Sequence, residues 1–174
     1  MSFSIRAVVI ASVIAVAVTG CAGAPEVSAL GASKAPAQLL RNEVASRIPT
    51  EAVRELADSV DTSEECGGDG TQRFWRSSQL VFINKENADR VSTMFDDLLA
   101  SLQDQGWTGN VSTPTPKVHA VFLDSKTTDA KIEIRATEAD QFGKGGTFEL
   151  AVTGPCVDTA GADSDDVKEL EGRN

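Results

Sequence analysis

The apolar positions of this chain change period along its length. From Pro36 to Arg47, Leu39, Leu40, Val44 and Ile48 recur at helical spacing; Pro49 interrupts, and Thr50 can cap a second helix with Val53, Leu56, Ala57 and Val60 on one side. Arg73 to Ile83 reads as a strand after the Gly-Gly-Asp-Gly turn that follows Cys66. Asn84 or Asn87 can then cap a long helix, with Glu86 and Asp89 in its first turn, where the helix dipole favours acids. Val91, Met94, Phe95, Leu98, Leu99 and Leu102 form its apolar stripe. Gly106 stops it, and Trp107 is placed to fold back on the last turn in a Schellman closure.

Beyond that helix the period becomes two. Pro114 and Pro116 mark a loop, and Val118 to Leu123 reads as a strand. Lys131 to Ala136 places Ile132, Ile134 and Ala136 on one side and Lys131, Glu133 and Arg135 on the other. Thr147 to Thr153 repeats the alternation with Phe148, Leu150 and Val152. Such alternation means a sheet covered on one face. The predicted order is helix, helix, strand, helix, strand, strand, strand. The expected fold is α+β: a two-layer sandwich with an antiparallel four-stranded sheet and helices on one face.

The first residues follow neither pattern. Arg6 is the only charge before an apolar run from Ala7 to Val18 broken only by Ser12. A membrane-spanning helix needs roughly 20 apolar residues, and export-signal cores run about 7–15. The run is short for a span and suits an export signal. Its end, Val18-Thr19-Gly20-Cys21, resembles the lipobox of bacterial lipoprotein signals. The resemblance implies that the Cys21 thiol receives a diacylglyceryl group, that a signal peptidase cuts before it, and that the new amino terminus is acylated. Two chains hold a protein at a bilayer where one holds it marginally, since each buried methylene adds about 0.8 kcal/mol.

The expected organisation is a signal peptide over residues 1–20, a lipidated Cys21 with a flexible Ala-, Gly- and Ser-rich linker over 21–35, one α+β domain over 36–156, and an acidic mobile tail over 157–174. A short helix from Ser164 to Leu170 fits within the tail. Across the whole chain 26 acids face 16 bases, a formal net charge of -10. This sign opposes nucleic-acid binding, which relies on Lys and Arg against phosphate. It also opposes an electrostatic grip on anionic lipid, so membrane attachment is assigned to the N-terminal lipid.

With Cys21 lipidated, Cys66 and Cys156 remain, and outside the cytoplasmic membrane one disulfide between them is expected. A redox or metal pair is the rival reading. No CxxC is present, and His119 is the only imidazole. Other chemistry is thin. Gly143 to Thr147 resembles part of a phosphate loop but lacks the earlier glycine and the following helix, so it reads as a hairpin turn. Asp96-Asp97 and Glu64-Glu65 read as solvated pairs. Arg73, Trp75 and Arg76 are the one suggestive cluster: bases beside an aromatic, able to grip an anionic or carbohydrate group, or else a Trp covering the sheet edge or the disulfide. No catalytic residue, metal ligand or cofactor site is assigned.

Taken together, the lipobox Cys21, Cys66 before the first predicted strand, Gly106-Trp107 after the helix and Pro155-Cys156 after the last strand resemble the pattern of small actinobacterial lipoproteins of unknown role. That resemblance implies an envelope protein and no activity. The expected function is a lipid-anchored, extracytoplasmic binding or accessory module whose partner is an envelope protein or ligand. The alternatives are a carrier holding a small apolar ligand between helix and sheet, and an envelope hydrolase.

Overall fold

A computed structural model describes residues 28–138 and 145–172. Helix α1 spans Ala29–Ser46, and the Ser28 side chain caps it by accepting from the Gly31 N–H at 3.0 Å. Its buried stripe is Leu30, Ser33, Ala37, Arg41 and Val44. Ser33 is the polar member in its N-terminal half, and it hides the helical period there. The helix therefore starts before Pro36, inside the stretch expected to be linker. Alanine, the best helix former, fills much of that first half.

The predicted second helix is absent. A 3-10 turn over Thr50–Ala52 leads into β1 (Val53–Leu56) and β2 (Val60–Glu65). Both pair antiparallel with β3 (Gln72–Ile83), β1 along its C-terminal half and β2 along its N-terminal half. A long strand with unpaired edge groups recruits these segments against their weak helical period, as tertiary context commonly does.

Asn84 caps a second 3-10 turn, Lys85–Arg90, by accepting from the Asn87 N–H, and α2 (Val91–Asp104) follows directly. At the far end, Trp107 N–H donates to the Leu102 carbonyl and Gly106 N–H to that of Gln103, with Gly106 at φ +93°. These two bonds and the left-handed glycine are a Schellman motif.

The expected loop at Pro114 is a strand, β4 (Thr108–Thr115), exposed along its whole length. It pairs only with β5 (Val118–Asp124), and the register shifts between Ser112 and Thr115. An edge strand tolerates Pro114 because its outer N–H groups need no partner. Strands β6 (Lys131–Thr137) and β7 (Thr147–Thr153) complete the main path β1-β3-β7-β6-β5-β4. The short β8 (Val157–Asp158) joins β3 beside β7.

The four-stranded sandwich with helices on one face is thus corrected: the protein is α+β with one eight-stranded antiparallel sheet and three helices among the described residues. Helix α1 lies against β3 and β7, and α2 against β6. Helix α3 (Asp165–Leu170) packs on α1 rather than forming part of a simple layer over the sheet. Val167 of α3 is fully buried, Lys34 Nζ donates to the Leu170 carbonyl at 3.0 Å, and the Glu171 carboxylate accepts from Ser63 N–H and Oγ. The acidic tail expected to be mobile is docked by these contacts through Glu171.

The core lies between helices and sheet. Trp75, Val81, Ile83, Val121, Ile132, Ile134, Phe148, Leu150 and Val152 meet Leu30, Val44, Met94, Phe95, Leu98 and Leu102. Burying each large side chain stabilises the fold by about 1.5–3 kcal/mol.

Candidate functional site

The two faces of the sheet follow from its pleat. Positions paired with Leu150 and Val152 point into the core; those paired with Glu149, Ala151 and Thr153 point the other way. On that outer face β7 carries the small residues Ala151 and Thr153, while its neighbours carry long ones: Arg76 on β3, and Lys131, Glu133 and Arg135 on β6. Ala151 and Thr153, with Ser78 opposite Ala151 on β3, leave a trough among these long side chains.

Arg76 and Glu133 meet above that trough. Arg76 Nη2 donates to Glu133 Oε2 at 2.9 Å, and Arg76 Nε lies 3.8 Å from Glu64 Oε1. Because β7 runs between β3 and β6, the Arg76–Glu133 bond crosses it and divides the trough. One compartment, about 430 Å³, is walled by Val60, Leu80, Arg135 and Glu149. The other, about 610 Å³, is walled by Phe74, Phe122, Asp124 and Lys131 and ends at the Cys66–Cys156 pair. Arg76, Glu133 and Ala151 line both. Phe122 is 58% exposed, a large aromatic surface left in water.

Two of the three bases here meet acids. Arg76 is held by Glu133 and Glu64, and Lys131 Nζ lies 3.7 Å from Asp124 Oδ1, whereas exposed Arg135 only stands opposite Glu149 in the strand register. Such exposed pairs add little stability, about 0–1 kcal/mol each.

Cys66 and Cys156 form a disulfide, with Cα atoms 6.1 Å apart. It joins the end of β2 to the segment after β7. The Arg73, Trp75 and Arg76 cluster does not hold together, because neighbouring strand residues face opposite ways. Trp75 is buried beneath α1, with Lys34 Nζ 4.4 Å from its ring centre. Arg73 turns to Ser63, donating to its Oγ and its carbonyl. Only Arg76 reaches the open face, where Phe74 and Phe122 are the aromatic neighbours that residue adjacency alone does not reveal.

His119 lies on the core side of β5, its ring 5.5 Å from that of Phe95, and its Nε2 is buried without a hydrogen-bond partner. Asp96 and Asp97 are exposed on α2, whereas Glu64 is drawn into the Arg76 pair. Among the described residues, no group of three or more His, Cys, Asp or Glu side chains is arranged to hold a metal ion. Cys21 and most of the Gly143–Thr147 stretch's first half lie outside the described residues.

A second polar group lies under α1. Arg41, only 7% exposed, donates to Ser77 Oγ at 2.9 Å, and its Nη1 is 3.8 Å from Asp61 Oδ1. Gln38 donates to Asp61 Oδ2 at 2.8 Å. Burial pushes the Asp61 carboxyl up, but Ser77, Gln38, Trp75 and the Arg41 charge outweigh it and hold Asp61 below its usual range. This cluster clamps the β2–β3 hairpin to α1 and offers no opening to solvent comparable to the trough.

Helix α2, behind which an apolar ligand was the alternative expectation, packs its apolar stripe against the sheet. Val91, Met94, Phe95, Leu98 and Leu102 are all buried there, and both cavities described above open on the opposite face. No protein-family model, curated protein or solved structure matches this chain.

Proposed function

We propose that this chain is an extracytoplasmic lipoprotein, fixed to the cell membrane through Cys21, and that its α+β domain is a binding or accessory module without catalysis. The observation that carries the reading is the Cys66–Cys156 disulfide. Of three cysteines it leaves only Cys21, at the end of the export-type apolar run. Disulfides persist in oxidising compartments, so the bond and the signal support one address. No helix among the described residues is long and apolar enough to cross a membrane.

Binding is favoured over catalysis by the open trough. Arg76 and Lys131 there are tied to Glu133 and Asp124, and the single His faces Phe95 on the other side of the sheet. The partner is an envelope protein or ligand, with no nucleic acid and no cofactor involved.

Metabolic labelling with palmitate in an actinobacterial host tests the anchor. The full chain is expected to take up label, to lose residues 1–20 and to sediment with membranes. Cys21→Ala is expected to be unlabelled, and soluble or unprocessed. Recovery of the unmodified full chain from cytosol, still carrying Met1, overturns the reading.

A further inference from the structure

We propose that the outer trough is the binding site for a neutral, linear saccharide lying along β7, with Phe74 and Phe122 packed against sugar faces and the Arg76–Glu133 and Lys131–Asp124 pairs bonding its hydroxyls. This rests on the reading that the domain binds a ligand, and it names the ligand's class.

Shape comes first. The compartments of about 430 and 610 Å³ meet end to end at the Arg76–Glu133 bond. Each is of the size that ligand sites occupy, about 300–1,000 Å³. Both are open to solvent and share Arg76, Glu133 and Ala151, so a chain passing over the Arg76–Glu133 bond can occupy the two, which a compact molecule cannot.

Charge then selects among chains. An anionic ligand needs a cation free to meet it. Here Arg76 is already shared by two carboxylates, Lys131 faces Asp124, Arg135 stands opposite the Glu149 carboxylate in the strand register, and the chain as a whole carries -10. A cationic ligand meets the reverse obstacle in Arg76, Lys131 and Arg135. A ligand without net charge, rich in both donors and acceptors, loses nothing to either. Arg has five N–H donors and each carboxylate about four lone-pair sites, so a paired Arg and Glu keep spare bonding capacity for hydroxyl groups.

The floor disfavours an extended peptide. On both sides β7 is already paired, with β3 and with β6, so its backbone groups are spent in the ladder. A peptide laid on this face finds no backbone partner, in contrast to one added at a sheet edge. Recognition must come from side chains. What they provide is two aromatic surfaces flanking small residues, with hydroxyl-binding groups between them. The axial C–H faces of pyranose rings suit the aromatic surfaces, and their hydroxyls suit the ionic pairs.

Calorimetric titration of the purified full chain tests the assignment. The probes are cellohexaose, maltohexaose, mannohexaose and the N-acetylglucosamine hexamer, with hexagalacturonate as the acidic control. At least one neutral hexamer is expected to bind, and the control is not. Phe122→Ala is expected to weaken that binding about tenfold. Leu39→Ala, on exposed α1 surface, leaves it unchanged. Failure of all four neutral hexamers, binding of the acidic control alone, or indifference to Phe122→Ala overturns the proposal.

A photo-crosslinking amino acid at position 122 in intact cells separates this failure from that of the underlying reading. Crosslinks to a protein, with no saccharide bound in titration, remove the saccharide and leave a binding face. No crosslink of any kind, together with no saccharide bound, removes both.

Discussion

The two faces of the sheet are built from the same strands and obey opposite rules. On the inner face Phe148, Leu150 and Val152 of β7 are shut from water beneath the helices. On the outer face of that strand, Glu149, Ala151 and Thr153 stand in an open trough crossed by a salt bridge. The inner face is where removing atoms costs most, since close-packed surroundings relax only partly into a cavity. On the outer face, water replaces whatever is removed. A region so weakly tied to stability is free to carry binding, and the exposed Phe122 ring shows that this freedom has not been used to make the surface polar.

The largest test of that contrast is Phe148→Ala. The ring is fully buried beside Val81 and Ala136 across the strands. Its loss is expected to cost about 3–5 kcal/mol, against less than about 0.5 kcal/mol for Phe122→Ala. Urea unfolding of both variants measures the difference. Equal losses would mean that the outer face is packed against something that the fold itself supplies.

This contrast also explains what could be read from the residues alone. Strands β5, β6 and β7 and helix α2 alternate or repeat cleanly because their inner positions are all apolar. The Gly106-Trp107 closure is local chemistry, and so was visible. The first half of helix α1 shows no apolar period because Ser33 occupies a buried position there. Ser33 earns its place through the backbone: its Oγ donates to the Pro155 carbonyl at 2.7 Å and accepts from Trp75 N–H at 2.9 Å. Gly154 lets the chain approach there, since a Cβ would strike the Ser33 carbonyl. Val53, Leu56 and Val60 have helical spacing, which predicts a helix where β1 and β2 pair with the long β3. Strand β4 has no buried side at all. The trough itself needs register: Glu133, Ala151 and Arg76 are far apart in the chain and become neighbours only once β7 is set between β3 and β6.

A smaller effect is expected where the inner face turns polar. Asp61→Asn removes the countercharge of nearly buried Arg41, and should cost about 1–3 kcal/mol at neutral pH. The sign of its pH dependence follows from the lowered carboxyl. A group whose folded value lies below its unfolded one stabilises the fold fully above the unfolded value, and that share is lost as pH falls through the folded value. For Asp61 the loss therefore falls in acid below about 3.8, its ordinary value. Thermal melts of wild type and variant should differ at neutral pH and converge toward strong acid. A gap that widens in acid would show that the charge on Asp61 opposes folding.

The smallest effect belongs to the bar across the trough. Glu133→Gln keeps the shape of the side chain and removes its charge, leaving Arg76 with Glu64, 3.8 Å from its Nε. Both partners are about one-third exposed, and pairs of that kind contribute about 0–1 kcal/mol, so the melting temperature should hardly move. The electrostatics of the outer face should move more than its stability. With one acid gone, the Arg76 guanidinium has less neutralisation, and the trough is expected to begin accepting hexagalacturonate, which wild type is expected to exclude. An unchanged melting temperature with new acidic binding would mark a surface shaped by its ligand. A loss of several kcal/mol would instead place the Arg76–Glu133 bond among the supports of the fold, and erase the division between the two faces.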